Sequence, residues 1–169
     1  MHTIEKTVEV GVPVRTAYNQ WTQFEEFPRF MRAVRDVQQL DDKRLHWRAV
    51  VLGQPLEWTA EITHQVPDRR ICWRSTAGIA NSGSVSFQPL SSARTRVTLR
   101  VLVHPESTAQ SAGCTLGLVG ALLRGDLARF RTFIEGRGWE TGRWRGEIQG
   151  MVVIPATHAR QGLARARSA

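Results

Sequence analysis

Residues 115–137 read TLGLVGALLRGDLARFRTFIEGR, and this stretch decides the fold. Leu116, Val119, Leu123, Leu127, Phe130 and Ile134 recur at steps of three and four, which places them in one stripe along a helix. Arg124, Asp126, Arg129, Arg131 and Glu135 fall largely on the other side, so the helix is expected to have one apolar face and one wet one. Thr115 suits the N-cap, and Gly136 and Gly138 supply stop signals. Nearly everything upstream reads as short strands. A one-sided helix after a run of strands is the natural cover for one face of a sheet, so the expected fold class is α+β.

Outward from the helix, alternation identifies the strands. Ile4, Lys6, Val8 and Val10 oppose Thr3, Glu5, Thr7 and Glu9, a half-buried strand in which Lys6 is the exception. Pro13 suits the first turn of a short helix with Val14, Ala17, Tyr18 and Trp21, and a second short helical turn carries Phe24, Phe27, Phe30 and Met31. Six more strands follow. In them Leu45, Trp47, Ala49 and Val51, then Leu56, Trp58, Ala60, Ile62 and His64, then Ile71, Trp73 and Ser75 share the inner face. Val85 and Phe87 continue it, and Val97, Leu99, Val101 and Val103 complete it in the strongest strand. Seven antiparallel strands wrapped around the long helix are therefore expected, with two short helices between the first and second strands.

The 169-residue length fits one domain, and a hydrophobic content of 41% is enough for a real core. No run reaches the roughly 18 apolar residues of a membrane span, and Glu5 and Lys6 stand where a signal peptide would be apolar, so a cytoplasmic protein without a transmembrane segment is expected. Cys72 and Cys114 have no CxxC or Cys/His neighbours and read as reduced structural thiols. The net charge of +8 raises the question of nucleic acid. From Thr115 onward nine Arg face four acids, and only two of the 23 basic residues in the chain are Lys. That is a bias toward Arg in the last third of the chain rather than a contact face, and it argues against nucleic acid as a partner.

The opening Ile4 to Val10 with Pro13, then Trp21, Phe24, Glu25, Phe27, Pro28, Phe30 and Met31, resembles the start of the polyketide cyclase/dehydrase group of the START-like (SRPBCC, Bet v 1-like) superfamily. So do Ile71 to Ser75, Asn81-Ser82-Gly83, Val85 to Leu90, Thr95 to Val101 and Asp126 to Arg131, in the same order. The resemblance implies a helix-grip fold over residues 1–138, with a hydrophobic cavity between sheet and helix. It also brings in coenzyme Q-binding proteins, lipid carriers and aromatase/cyclases as relatives. Ring-closing members place polar, aromatic and Arg groups inside the cavity. Here Trp73 and Ser75 match the inward positions, Arg74 points outward, and the next inward position is Ala77, a departure that counts against cyclase chemistry. Residues 139–169 read as an Arg-rich C-terminal extension, partly disordered, in which Met151 to Pro155 add a short extended segment against the body or a neighbouring chain, as in a homodimer.

No Ser-His-Asp order, phosphate loop or metal-ligand spacing is present, so no cofactor or metal is called for. His64 and Ser75 are the inward polar groups that chemistry would have to use. Binding needs less, since ligand pockets are mostly apolar with a few orienting polar groups. Tyr18, Trp47, Trp58, Trp73, Ser75, Phe87, Leu123, Leu127 and Phe130 are the expected cavity wall. The leading expectation is a protein that holds a small hydrophobic molecule of lipid, polyketide or quinone type. A polyketide aromatase/cyclase or dehydratase is the alternative, and an interaction protein with a filled core is the third.

Overall fold

The computed structural model describes residues 2–104 and 112–156, with the side chains of 112–116 excepted. The chain runs β1 (His2–Val10), α1 (Val14–Trp21), a 3-10 helix (Phe24–Arg29), β2 (Val34–Gln39), β3 (Arg44–Val51), β4 (Gln54–Val66), β5 (Arg70–Gly78), β6 (Asn81–Ser91), β7 (Arg94–Val103), α2 (Ala112–Arg137), β8 (Glu147–Gln149) and β9 (Val152–Ile154). The main path of the sheet is β1-β7-β6-β5-β4-β3-β2, antiparallel throughout, and β8 adds to β4 with β9 beyond it. Two short strands thus join the seven expected from alternation. Among the described residues no helix is long and apolar enough to cross a membrane.

The sheet curves around α2 as a helix grip. Leu127, Phe130 and Ile134 are buried, while Arg124, Arg131 and Glu135 stay exposed, so the two sides of the helix fall as its spacing predicts. The helix starts at Ala112, three residues before the expected N-cap at Thr115. Asp126, assigned to the wet side, is buried instead. Its carboxylate pairs with Arg129 and accepts the Arg32 backbone N–H at 3.1 Å, while Arg129 Nε donates to the Phe30 carbonyl at 3.1 Å. These bonds fasten α2 to the chain that leaves the 3-10 helix.

Rings seal the end of the molecule where α1, the 3-10 helix and the C-terminal half of α2 meet. Trp21 packs edge-on against Phe27 and Phe130 at centroid distances of 5.2 and 5.0 Å, and Tyr18 against Phe87 at 5.5 Å. Each such buried side chain contributes about 1.5–3 kcal/mol of hydrophobic stabilisation.

The packed body does not end at Gly138. Ile148 of β8 is fully buried in the same core as Phe130 and Ile134. Arg145 holds the Asp68 carboxylate with both terminal nitrogens, at 2.9 and 2.8 Å, and reaches Asn19 Oδ1 at 2.7 Å. Thr141 and Glu140 bond the side chains of Gln20 and Asn19. The first part of the extension is therefore tied to α1 and to the sheet, and Met151 to Pro155 contribute β9 as a short extended segment. The tail, residues 161–169, lies outside the described residues.

Candidate functional site

On β4 to β7 the burial of the inner face falls off in one direction. Along β7, Val97 and Leu99 are buried and Val101 is partly exposed; along β6, Phe87 and Val85 are buried and Gly83 is not. In β5 Ile71 is buried while Trp73 and Ser75 are open in part, and in β4 Ile62 and Ala60 are buried while Trp58 is open in part. The helix above repeats the gradient, from buried Ile134, Phe130 and Leu127 to half-open Leu123 and Val119. The register places Val101, Gly83, Trp73 and Trp58 toward one end of the sheet. One end of the space between the layers is sealed, and the end under the N-terminal half of α2 keeps accessible apolar surface.

Three tryptophans shape that surface. Trp47 and Trp58 face each other across the β3–β4 ladder with parallel rings, 5.8 Å between centroids and 4° between planes. The Trp73 indole packs against Gly83, the residue opposite it on β6, where a Cβ would come within 2.5 Å of the ring. Only glycine leaves room for that placement, which is what the Asn81-Ser82-Gly83 stretch supplies. A small polar group sits beside it: Trp73 Nε1 donates to Asn81 Oδ1 at 3.3 Å, and the Asn81 backbone N–H donates to Ser75 Oγ at 3.0 Å. With one lone pair of Ser75 used in this way, its hydroxyl hydrogen remains available to an incoming acceptor.

The structure divides the residues expected at the cavity wall. Trp47, Trp58, Trp73, Ser75 and Leu123 border the half-open end, whereas Tyr18, Phe87, Leu127 and Phe130 belong to the sealed end. His64 is on neither. Ile62 pairs with Trp73, but His64 pairs with Cys72, so Thr63 is an extra residue and the side-chain alternation of β4 changes phase there. Gln65 takes the inward place and His64 turns to the outer face, opposite Gln149 of β8. A second bulge has the same effect on β5. Ala60 pairs with Ser75 and Thr59 with Ala77, so Thr76 is extra, Ala77 leaves the inner face, and Gly78 stands opposite Trp58. Arg74 points outward, as expected, to Glu61 at 3.3 Å.

Electrostatics mark few groups here. Burial pushes the Tyr18 phenol up from its usual range, against the opposing pull of the Gln65 hydrogen bond and of Arg145. Burial likewise raises the Cys72 thiol, against the pull of Arg70, and so disfavours its thiolate. Among the described residues no three His, Cys, Asp or Glu side chains come together as metal ligands. A polar pocket of about 200 Å³, lined by Gln23, Phe24, Glu25, Glu26 and Gln39, adjoins the 3-10 helix and shares no residue with the tryptophan surface. Gln65 and Asn81 were not visible in the sequence as site residues. The first depends on a bulge that alternation does not announce, and the second read as part of a turn.

Residues 10–131 match the family described as polyketide cyclase / dehydrase and lipid transport. The chain belongs to this family. A relative matches most of the chain. An uncharacterised 17.2 kDa protein of Streptomyces lincolnensis is 48% identical over 149 residues, 88% of this chain and 99% of that one. Among solved structures, a Deinococcus radiodurans protein is 32% identical and superposes with a TM-score of 0.65 over 81% of this chain and 99% of its own. An aromatase/cyclase from Streptomyces sp. R1128 superposes with a TM-score of 0.61 over 81% of this chain and 93% of its own, at 15% identity, a likeness of fold alone. In this cyclase/dehydrase-family chain the half-open end of the helix grip carries the accessible apolar surface between the layers, with Ser75 and Asn81 beside it.

Proposed function

We propose that the protein binds a small hydrophobic molecule of lipid, polyketide or quinone type at the half-open end of the space between the sheet and α2. The observation that carries this reading is the burial gradient: large apolar side chains close one end completely, while Trp47, Trp58 and Trp73 keep accessible surface at the other. A filled core would bury all three, because leaving indole surface wet forgoes about 25 cal/mol per Å². Membership of a family described by both cyclisation and lipid transport supports a ligand of this class.

Native mass spectrometry of the purified protein, followed by melting with and without the extracted lipid fraction, tests it. A co-purified hydrophobic molecule that raises the melting temperature by mass action supports the reading. A ligand-free protein whose melting temperature no apolar compound shifts overturns it.

Ring closure on a polyketide is the second reading, and the Ser75–Asn81–Trp73 group is the observation that favours it. A hydroxyl hydrogen and an amide next to apolar walls can hold a ketone oxygen in place while an enol carbon attacks that ketone's carbon. The C=O π pair moves onto the held oxygen, which takes up a proton as the enol oxygen gives up its own and becomes a carbonyl. His64 has no part in that chemistry, since it points out of the sheet. Turnover of a poly-β-keto substrate that is unchanged in Ser75→Ala and in Asn81→Ala would remove this reading and leave the first intact.

A further inference from the structure

The inner face of β1 carries one charged side chain. Lys6 pairs with Leu99 across the β1–β7 ladder, and Leu99 is a core residue, so Lys6 shares its face. Its neighbours there are apolar: Ile4 and Val8 along the strand, Val97 and Val101 on β7. Helix α2 lies directly above. A Cβ on Gly120 would stand 3.5 Å from Lys6 Cε and 3.7 Å from Nζ, so the ammonium end occupies the space that this buried glycine leaves open. Lys6 is only partly buried, and it has no hydrogen bond or ion pair among the described residues. The other lysine of the chain, Lys43, is paired with Glu61 at 2.9 Å.

An ammonium between apolar layers is costly without a partner, and a lysine in such a place usually runs its stem out to water. Here the stem passes beneath α2 at Gly120, and the ammonium itself is not buried. The row next to it leads inward across the sheet, from Ile4, which α2 covers at Gly120, to half-open Val101, Gly83 and the Trp73 ring. Three inter-strand spacings separate β1 from β5, roughly 14 Å of apolar floor.

We propose that Lys6 binds the carboxylate of the ligand, and that the ligand is an apolar monocarboxylic acid whose body, about ten carbons or more, lies along this row toward Trp73. This rests on the binding function proposed above. One compact ammonium with three donors matches a single anionic head group. The row it faces is otherwise apolar, which suits a body without further charge.

Equilibrium binding of a dansyl-labelled medium-chain fatty acid and of its methyl ester to the full chain tests the assignment. The acid should bind the wild type about tenfold or more tighter than the ester at neutral pH, with a preference that salt weakens. Lys6→Met should remove that preference by weakening the acid alone, leave the ester unchanged and keep the melting temperature, while Lys6→Arg should retain most of it. Equal affinities for acid and ester in the wild type, or undiminished acid binding in Lys6→Met, would overturn the role of Lys6 while leaving the hydrophobic site standing. Failure of both probes to bind the wild type would overturn the binding function and this assignment with it.

Discussion

Gln65 Nε2 donates a hydrogen bond to Tyr18 Oη at 3.0 Å, joining β4 to α1 at the sealed end of the core. Both side chains are fully buried, and the Tyr18 ring also meets Phe87 edge-on and lies under the Arg145 guanidinium, 5.6 Å from its centroid. Tyr18→Phe keeps the ring contacts but leaves the Gln65 amide without its acceptor, so it should cost about 1–3 kcal/mol. The phenol's pKa is raised in the folded state, so its contribution is fully present below the unfolded value near 10 and is lost as pH rises through the folded one. Tyr18 is the only tyrosine in the chain. Phenolate absorbance should therefore stay absent past about pH 10 and appear with unfolding. A phenolate that forms at the ordinary pH in the folded protein would refute the burial argument.

The bulge that brings Gln65 inward also marks the limit of what alternation can reveal. Period-two patterning placed Trp47, Trp58, Trp73 and Ser75 on the inner face correctly, because no extra residue precedes any of them within its own strand. It failed for His64 and Ala77, each just beyond an extra residue, Thr63 or Thr76, and neither residue type signals a bulge. The helix stripe was legible for the same reason as the strands, since a long periodic segment repeats its evidence. β8 was not, because three residues are too few to show a period, and Ile148 reaches the core only through contacts made far away in sequence.

The two sides of α2 should respond differently to substitution. Leu127 is buried against the sheet, whereas Arg131 is exposed and pairs with Glu135 at 3.2 Å. Leu127→Asp buries an unpaired carboxylate and should cost several kcal/mol, enough to unfold a domain of ordinary stability. Arg131→Ala loses one surface pair and should cost under about 1 kcal/mol. Chemical denaturation of the two variants checks the contrast, and equal destabilisation would mean that the helix face is misassigned.

Truncation after Gly138 should be severe. It removes the fully buried Ile148, the β4–β8 pairing at His64 and Gln65, and the two-pronged Arg145–Asp68 contact. Ile148→Ala alone should cost about 2–5 kcal/mol, the range for emptying a buried isoleucine site. A truncated chain that melts within a few degrees of the full one would show that the extension decorates a body complete without it.

Gly83 is the most direct handle on the tryptophan surface. A Cβ there would stand 2.5 Å from the Trp73 ring and still nearer the Arg100 carbonyl oxygen of β7, so Gly83→Ala cannot be accommodated by a rotamer change alone. The ring must lift off the sheet, which breaks its bond to Asn81 and fills the half-open space from below. Overpacking of this kind costs about 1–3 kcal/mol. Trp73→Ala works in the opposite sense, enlarging the space, and at a partly exposed position should cost less than the about 3–5 kcal/mol of a fully buried indole. If the surface receives a ligand, both variants should stay folded and both should bind an apolar probe more weakly, the first by obstruction and the second by loss of contact. Melting curves and probe titration on the same samples separate this from a merely structural tryptophan, for which binding would be untouched in both.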